Sequence, residues 1–156
     1  MNQHTSFLKR AVTLGVESVD EGGGPFGCVI VKNGVIIAEG QNNVTSSNDP
    51  TAHAEVTAIR NACRTLQTYQ LDDCVIYTSC EPCPMCLGSI YWARPKAVYY
   101  ASSHSDASDA GFDDTFIYDE IKKQRTERSI PFYHLSFSDH TAPFDAWKTS
   151  ARKKVY

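Results

Sequence analysis

Two short motifs constrain the fold of this chain more than any other feature. The first is His53-Ala54-Glu55, expected in the first turn of a helix, and the second is Pro82-Cys83-Pro84-Met85-Cys86, expected to open another helix. Cys83 and Cys86 are i and i+3, so one helical turn places both sulfurs on one face. The partial positive charge of a helix N-terminus favours thiolates and disfavours a protonated imidazole. The pattern therefore predicts two helix starts that share one metal ion.

The three candidate ligands, His53, Cys83 and Cys86, have the chemistry of a zinc site. A catalytic zinc in proteins has three protein ligands and keeps its fourth position open for water. Ligation requires a neutral imidazole and ionised thiols, and the helix starts favour both. We therefore expect one Zn²⁺ per chain in an open, catalytic site.

Glu55 is the second part of the pattern that indicates zinc catalysis. Side chains at i and i+2 of a helix do not face each other, so Glu55 is poorly placed to ligate the ion that His53 binds. It can reach a water bound to that ion, whose pKa zinc lowers to about 7, and take its proton. Glu55 is therefore predicted to be a catalytic proton carrier.

Three other interpretations of these residues stay open at this point. A lone C-x-x-C pair can be a redox couple, Cys80 can close a structural zinc site, and His53 can be an ordinary core histidine. The upstream H-x-E motif disfavours the redox couple, and a core histidine leaves both thiols unexplained. Zinc catalysis accounts for the whole pattern.

Composition and charge exclude several classes of protein. The chain has 156 residues, 42% hydrophobic and 21% charged, which fits a single domain over residues 1–156 and excludes disordered and fibrous classes. A net charge of -3 argues against a broad nucleic-acid-binding surface. No apolar run reaches the roughly 20 residues of a membrane helix. We expect a cytoplasmic protein with free cysteines and with no nucleic-acid or membrane partner.

The hydrophobic pattern predicts elements in the order α-β-β-α-β-α-β-α-β-α. Thr5 or Ser6 is expected to cap the first helix, and Asn33-Gly34 to form the turn of a β-hairpin. Asp49-Pro50 is expected to begin the helix that carries the H-x-E motif.

The later elements continue the alternation of strands and helices. In chain order they are a buried strand at Cys74–Thr78, a helix from Pro84 to about Trp92, a buried strand at Ala97–Ala101, an acidic loop with Asp106, Asp109, Asp113 and Asp114, a short helix at Phe116–Ile121, a last strand at Phe132–Phe137 and a terminal helix at Pro143–Lys154. These elements predict a three-layer α/β/α fold. Its sheet is expected to be mixed, mostly parallel and five-stranded, starting with an antiparallel hairpin.

Longer stretches of the sequence resemble the small bacterial guanine deaminases of the cytidine deaminase superfamily. H-x-E followed by P-C-x-x-C is the signature of zinc nucleobase deaminases. The resemblance covers essentially the whole chain, and the segments that carry it are Gly23–Gly27, Asp49–Arg60, Ser79–Cys86, Gly111–Asp114 and the closing Tyr156. It implies a cytidine deaminase-like fold and the hydrolytic deamination of guanine to xanthine and ammonia, a reaction of purine catabolism or salvage.

The resemblance also implies roles for individual residues. Glu55 passes a proton from water to a ring nitrogen, and Asp114 is a second proton shuttle near the exocyclic amine. Asn42 hydrogen-bonds the purine edge, while Phe26 and Trp92 flank the flat base. Without the family, Asn42 is an ordinary turn residue, Trp92 is equally well a core residue, and Asp114 belongs to a solvated acidic loop.

Members of this family form homodimers that exchange their C-terminal segments, so that a terminal tyrosine closes the partner's pocket. The resemblance therefore implies that Tyr156 belongs to the site of the other subunit. A frayed terminus is the ordinary expectation for a last residue.

Four other functions compete with guanine deamination. The tRNA-editing adenosine deaminases share the zinc motif but need a positively charged surface, which the net charge of this chain disfavours. Guanosine deaminases resemble the chain across the same motifs, and deamination of cytosine or cytidine is a weaker alternative. A zinc-stabilised binding module is the alternative outside the enzymes.

Overall fold

The chain alternates helices and strands over its first two thirds, as the sequence predicts. The computed structural model describes residues 2–156 in two units, one ending at Thr115 and one formed by Phe116–Tyr156. The elements of the first unit are α1 (Gln3–Asp20), β1 (Gly27–Lys32), β2 (Val35–Gln41), α2 (Val44–Ser47), α3 (Ala54–Leu66), β3 (Cys74–Cys80), α4 (Pro84–Ala93), β4 (Ala97–Ser102) and α5 (His104–Asp109). Helix α6 (Thr115–Lys122) begins at the boundary, and a 3₁₀ turn (Arg125–Glu127) and α7 (Ala142–Thr149) follow.

Four strands form one mixed sheet in the order β2-β1-β3-β4. Strand β1 pairs antiparallel with β2 and β3, and β3 pairs parallel with β4. Strands β2, β3 and β4 therefore share one direction, and α3 and α4 connect them as crossovers. The predicted fifth strand over Phe132–Phe137 is wrong: the segment is exposed and has no regular structure. Its alternating pattern fits a strand, but none of the strands in the described chain pairs with it.

The hairpin predicted at Asn33-Gly34 is confirmed. Asn33 and Gly34 have φ values of 51° and 77°. Positive φ at both central residues is the requirement of a type I′ turn, which Asn-Gly meets at little cost. The turn joins β1 to β2 and leaves β1 in the interior of the sheet.

Helices cover both faces of the sheet and make the first unit a three-layer α/β/α structure. On one face, Leu14 of α1 packs with Val29, Val31 and Tyr77. On the other face, residues of β1 and β3 pack with the small residues of α3 and with α4, in a cluster that includes Cys28, Ile30, Ala54, Ala58, Ala62, Ile76 and Ile90. The alternation along β1 sends neighbouring side chains to opposite cores.

Two predicted helix starts are wrong. Helix α1 begins at Gln3 with Asn2 as its cap, whose side chain accepts a hydrogen bond from the His4 N–H, rather than at Thr5 or Ser6. Helix α3 begins at Ala54 with His53 as its N-cap, so His53 precedes the first turn. Asp49 instead closes a local turn by accepting hydrogen bonds from the backbone and hydroxyl of Thr51. Aspartate satisfies such a turn as readily as it caps a helix.

The segment after α4 also differs from its prediction. Strand β4 is not buried, since Tyr99 and Tyr100 are exposed at the sheet edge. The expected acidic loop contains α5, which begins with a capping box between Ser103 and Asp106. The terminal helix is shorter than predicted, because α7 ends at Thr149.

The second unit has no core of its own. None of the residues Phe116–Tyr156, all of which the structure describes, is buried. Its exposed apolar side chains include Phe116, Ile121, Ile130, Phe132, Tyr133, Leu135, Phe137, Phe144, Trp147, Val155 and Tyr156. Among residues 2–156, no helix is both long enough and apolar enough to cross a membrane.

Candidate active site

Two helix N-termini bring the predicted ligands together. His53 is the N-cap of α3 and Cys83 is the N-cap of α4, where Pro84 occupies the first helical position. Cys86 lies in the first turn of α4. The Nδ1 atom of His53 is 3.5 Å from the Sγ atoms of both Cys83 and Cys86. We call these three side chains the donor set.

The donor set fits a zinc ion. Nitrogen and sulfur ligands at the tetrahedral angle, with bonds of about 2.1 and 2.3 Å, lie about 3.6 Å apart. The two nitrogen–sulfur separations of 3.5 Å match that value. All three ligand atoms lie within 4.8 Å of one another. The predicted spacing of the ligands is therefore present in the fold.

Hydrogen bonds within the donor set determine which of its three side chains holds a proton. A hydrogen bond from Cys86, helped by His53, lowers the pKa of Cys83 to about 4. The same bond to Cys83 raises the pKa of Cys86, which keeps its proton. A hydrogen bond to Cys83 also raises the pKa of His53, contrary to the prediction that the helix terminus disfavours its protonation. A bound cation has to displace these protons.

Glu55 lies beside the donor set and is 6% exposed. The Thr78 hydroxyl donates to its Oε1 at 3.2 Å, and the Cys86 Sγ lies 3.3 Å from its Oε2. Burial raises the pKa of Glu55 above its ordinary value. A carboxylate whose pKa is raised above its ordinary value is a stronger base, which suits a group that takes up a proton and passes it on.

Asp114 contacts the site through its charge and through a histidine. His104 Nδ1 is 3.2 Å from Asp114 Oδ1. The pKa of His53 is raised chiefly by its hydrogen bond to Cys83, and the charges of Glu55 and Asp114 add to this. Asp114 is therefore partly enclosed, with a side chain 20% exposed, and its part in catalysis stays a prediction.

Asn42 is buried and held on several sides. Its backbone N–H donates to Phe26 O at 3.2 Å, and its Oδ1 accepts from the Val44 N–H at 3.3 Å. A Cβ added to Gly24 would approach the Asn42 amide to 3.1 Å, a tight contact that would require the amide to shift by a few tenths of an ångström. The Phe26 ring meets Phe112 edge-to-face at a centroid distance of 5.0 Å.

The other two residues predicted to bind substrate are exposed. Trp92, near the end of α4, is 63% exposed and is not a core residue. Tyr156 lies in the second unit and is 64% exposed. The closure of a pocket by Tyr156 stays a prediction.

Cys80 does not act as a fourth ligand in this structure. Its thiol donates to the Ser103 carbonyl at 3.5 Å, and it does not belong to the cluster formed by the donor set. Burial, followed by the charge of Glu55, raises its pKa to about 11, which disfavours a thiolate. The donor set keeps the open position that a catalytic zinc requires.

Thr78 and His104, which contact Glu55 and Asp114, are not among the residues predicted from the sequence. Thr78 is a polar residue within the buried strand β3, and this exception was the available signal. His104 had no comparable signal, since the segment around it is a polar stretch of the chain.

Comparison with known proteins places the donor set in a recognised sequence region. Residues 1–102 match the sequence model of the cytidine and deoxycytidylate deaminase zinc-binding region. A guanine deaminase of Bacillus subtilis is 70% identical over 154 residues, covering 98% of this chain and 99% of that protein. A tRNA-specific adenosine deaminase of Aquifex aeolicus is 41% identical over 96 residues, covering 62% of this chain and 64% of that protein.

A solved structure agrees with the sequence comparison. The X-ray structure of guanine deaminase from Bacillus subtilis superposes with a TM-score of 0.97 at 69% identity. The match covers 100% of this chain and 99% of that chain. The similarity therefore includes both the region with the donor set and the C-terminal segment.

Proposed function

This chain belongs to the cytidine and deoxycytidylate deaminase family, and on that premise we propose a specific activity for it, the hydrolytic deamination of guanine to xanthine and ammonia. The extent of the similarity is the observation that supports guanine as the substrate. The Bacillus subtilis guanine deaminase matches 98% of the chain, whereas the Aquifex aeolicus tRNA-specific adenosine deaminase matches 62%. The resemblance inferred from the sequence motifs is confirmed.

Zinc is the cofactor, and His53, Cys83 and Cys86 are the residues that would hold it. When bound, it supplies a Lewis acid and lowers the pKa of a water molecule. Glu55 is placed to take a proton from the attacking water and deliver it to a ring nitrogen, because burial raises its pKa and the Thr78 hydroxyl donates to its carboxylate.

Asp114 carries the second proton of the reaction. In the overall reaction a C2–oxygen bond forms and the bond between C2 and the exocyclic nitrogen breaks. The leaving nitrogen needs a further proton to depart as ammonia; that proton comes from the hydroxyl group added to C2, and Asp114 takes it up and passes it to the nitrogen. Glu55 and Asp114 thus divide the proton transfers between two carboxylates with different surroundings.

Four residues hold the base. Because Asn42 Oδ1 accepts from Val44 N–H, its amide nitrogen is left to donate to an acceptor atom of the purine. Phe26, braced by Phe112, and Trp92 provide aromatic surfaces for the ring. Tyr156 closes the site from the other subunit.

The assay that tests this function is ammonia release from guanine, guanosine, adenine and cytosine by the zinc-loaded protein. Fast release from guanine alone is the expected result. Release from guanosine and not from guanine would show that the protein is a nucleoside deaminase.

Glu55→Ala separates an enzyme from a zinc-stabilised binding module. The variant keeps all three members of the donor set, so we expect normal zinc content and a loss of turnover of at least about 100-fold. Unchanged turnover in this variant would contradict the proposed role of Glu55.

We also propose that the chain acts as a homodimer with exchanged C-terminal segments. The second unit exposes its apolar side chains, and an element with no buried residue does not offset the entropy lost on ordering it. The first unit has an apolar groove of about 370 Å³ between α1 and α5, lined by residues such as Val12, Val16, Phe26 and Phe112. Phe116–Tyr156 of a second copy has the apolar character to fill it. Residues 1–156 then form one functional domain completed by the partner.

A further inference from the structure

The imidazole of His104 lies between two carboxylates, those of Asp114 and Glu81. His104 Nδ1 is 3.2 Å from Asp114 Oδ1, and His104 Nε2 is 3.6 Å from Glu81 Oε1. All three side chains are less than half exposed. The shorter contact is a hydrogen-bonding distance, and the longer one is an ion-pair distance.

The backbone fixes two members of this arrangement. Strands β3 and β4 pair in parallel up to Cys80 and Ser102, and the Glu81 N–H donates to Ser102 O at 2.9 Å. His104 is the first residue of α5, whose start is held by the capping box of Ser103 and Asp106. Glu81 and His104 thus project from the ends of two paired strands.

Asp114 is fixed less directly. It lies between α5 and α6, outside any helix or strand. Its neighbour Asp113 already has a structural role, because its Oδ1 accepts from the Thr115 N–H at 2.8 Å. Of the two adjacent carboxylates, Asp113 orders the start of α6 and Asp114 faces His104.

We propose that His104 is a positioning residue that holds the carboxylate of Asp114 for its proton transfer, with Glu81 fixing the far side of the imidazole. This inference rests on the proposed function, in which Asp114 protonates the leaving amine. In this arrangement Nδ1 carries the N–H that faces Asp114 Oδ1 at 3.2 Å, which leaves Oδ2 for the substrate. The imidazole also separates two carboxylates that would otherwise repel each other.

Substitutions at His104 test which ring nitrogen matters. An asparagine amide can donate from the place of Nδ1, whereas a glutamine amide donates from the place of Nε2. We expect His104→Ala to lower kcat about 10- to 100-fold with unchanged zinc content and nearly unchanged KM for guanine. His104→Asn should recover most of the loss, and His104→Gln should not. Equal activity of the Asn and Gln variants, or wild-type kcat in His104→Ala, would overturn the inference.

A double variant tests whether His104 acts through Asp114. Once Asp114→Asn has removed the carboxylate, adding His104→Ala should lower kcat little further. A further drop as large as that of His104→Ala alone would assign His104 another role. Asp113→Asn is the matched control, because asparagine keeps the Oδ1 acceptor for Thr115 N–H and should leave kcat near that of the wild type.

The tautomer of His104 can be read without any assay of turnover. In ¹⁵N NMR spectra of the wild-type protein, with His104 assigned by its loss in His104→Asn, Nδ1 should carry a proton. An Nδ1 without a proton would overturn the positioning inference even if guanine is the substrate. A wild-type protein that releases no ammonia from guanine would instead refute the proposed function and leave the tautomer result to decide the contact.

Discussion

Glu55 is held by neighbours that come from distant parts of the sequence. The Thr78 hydroxyl is 3.2 Å from its Oε1, and the Cys86 thiol is 3.3 Å from its Oε2. The Thr78 hydroxyl remains a donor when Cys86 is a thiolate, so it orients the carboxylate beside the donor set. The precision of a proton transfer depends on such neighbours as much as on the carboxylate itself.

Removing the Thr78 hydroxyl should therefore affect turnover while leaving the fold intact. Thr78→Val keeps the shape of the side chain and deletes the donor to Glu55, so we expect kcat to fall about tenfold with unchanged zinc content. Steady-state kinetics and a zinc assay measure both quantities. Thr13→Val, at an exposed position of α1, is the matched control and should keep the wild-type kcat. A wild-type kcat in Thr78→Val would show that the hydrogen bond plays no part.

At the scale of single residues, the sequence predicted the candidate site residues that lie close together along the chain. Cys83 and Cys86 share one helical turn, and Glu55 follows His53 by two residues, so spacing alone shows their chemistry. Thr78 reaches Glu55 only because α3 packs against the sheet, and His104 lies beside Glu81 because strands β3 and β4 pair side by side. The spacing of residues along the chain does not show which elements pack together.

Strand β2 and helix α3 approach each other closely at Gly40. A Cβ on Gly40 would lie 2.3 Å from the Ala54 carbonyl oxygen and 2.5 Å from the Ala58 nitrogen. Both are backbone atoms of α3, the helix that begins after His53. The position of the helix that carries a zinc ligand thus depends on the absence of one side chain.

Gly40→Ala should destabilise the protein by about 3 kcal/mol and lower its zinc content, because α3 has to move away from the sheet. Chemical unfolding and metal analysis measure the two effects. Gly88→Ala is the matched control in α4, where a Cβ meets nothing within 4 Å. Helix propensity there favours alanine by about 0.5 to 1 kcal/mol. Equal stability of the two variants would contradict the close approach.

An ion pair ties α1 to β2. Arg10 donates to both carboxylate oxygens of Glu39, at 2.8 and 2.7 Å, and these bonds lower the pKa of Glu39 below its ordinary value of 4.5. A carboxyl with a lowered folded-state pKa adds stability above its ordinary pKa, and that stability is lost as the pH falls through the folded-state value.

Glu39→Gln should therefore cost about 0.5 to 1 kcal/mol at pH 7, a value limited by solvent because both side chains are about one third exposed. The cost should shrink as the pH falls below 4.5. Urea unfolding of the metal-free protein at pH 7 and pH 4, at one protein concentration, measures it. Glu21→Gln, at the exposed end of α1, controls for the loss of a charge. A cost independent of pH would contradict the assignment.

The elements that the sequence predicted correctly are those with a strong local signal. Asn33-Gly34 has the chemistry of its turn, and Pro84 has that of a first helical residue. The strand predicted at Phe132–Phe137 failed because alternation describes the two faces of a strand but not the neighbour to which it must bond. Asp49 failed as a helix cap because its side chain serves a local turn instead.

At the scale of the whole molecule, the exposed second unit makes a prediction about stoichiometry. If C-terminal segments are exchanged, each site takes Glu55 from one chain and Tyr156 from the other. The mass in sedimentation should then be near twice 17.3 kDa. A monomer with full activity would contradict the exchanged dimer.

Mixing two inactive variants tests the exchange itself. Glu55→Ala and a chain lacking Tyr156 should each be nearly inactive, yet in a heterodimer one of the two sites receives an intact Glu55 and an intact Tyr156. Random co-assembly should restore about a quarter of the wild-type activity, since half of the dimers are mixed and each has one intact site. No recovery in the purified heterodimer would place the tyrosine in the site of its own chain.

The position of His53 and Cys83 at the caps of two helices has a consequence for unfolding. Each residue stands at the entrance to its helix, and strand β3 lies between them in the sequence. An ion coordinated by both residues would close the segment that contains α3, β3 and the start of α4 into a ring. A ring has fewer conformations to gain when the chain unfolds than an open segment has. A bound ion would thus also act as a cross-link, and a chelator that removed it would release the starts of α3 and α4 from each other.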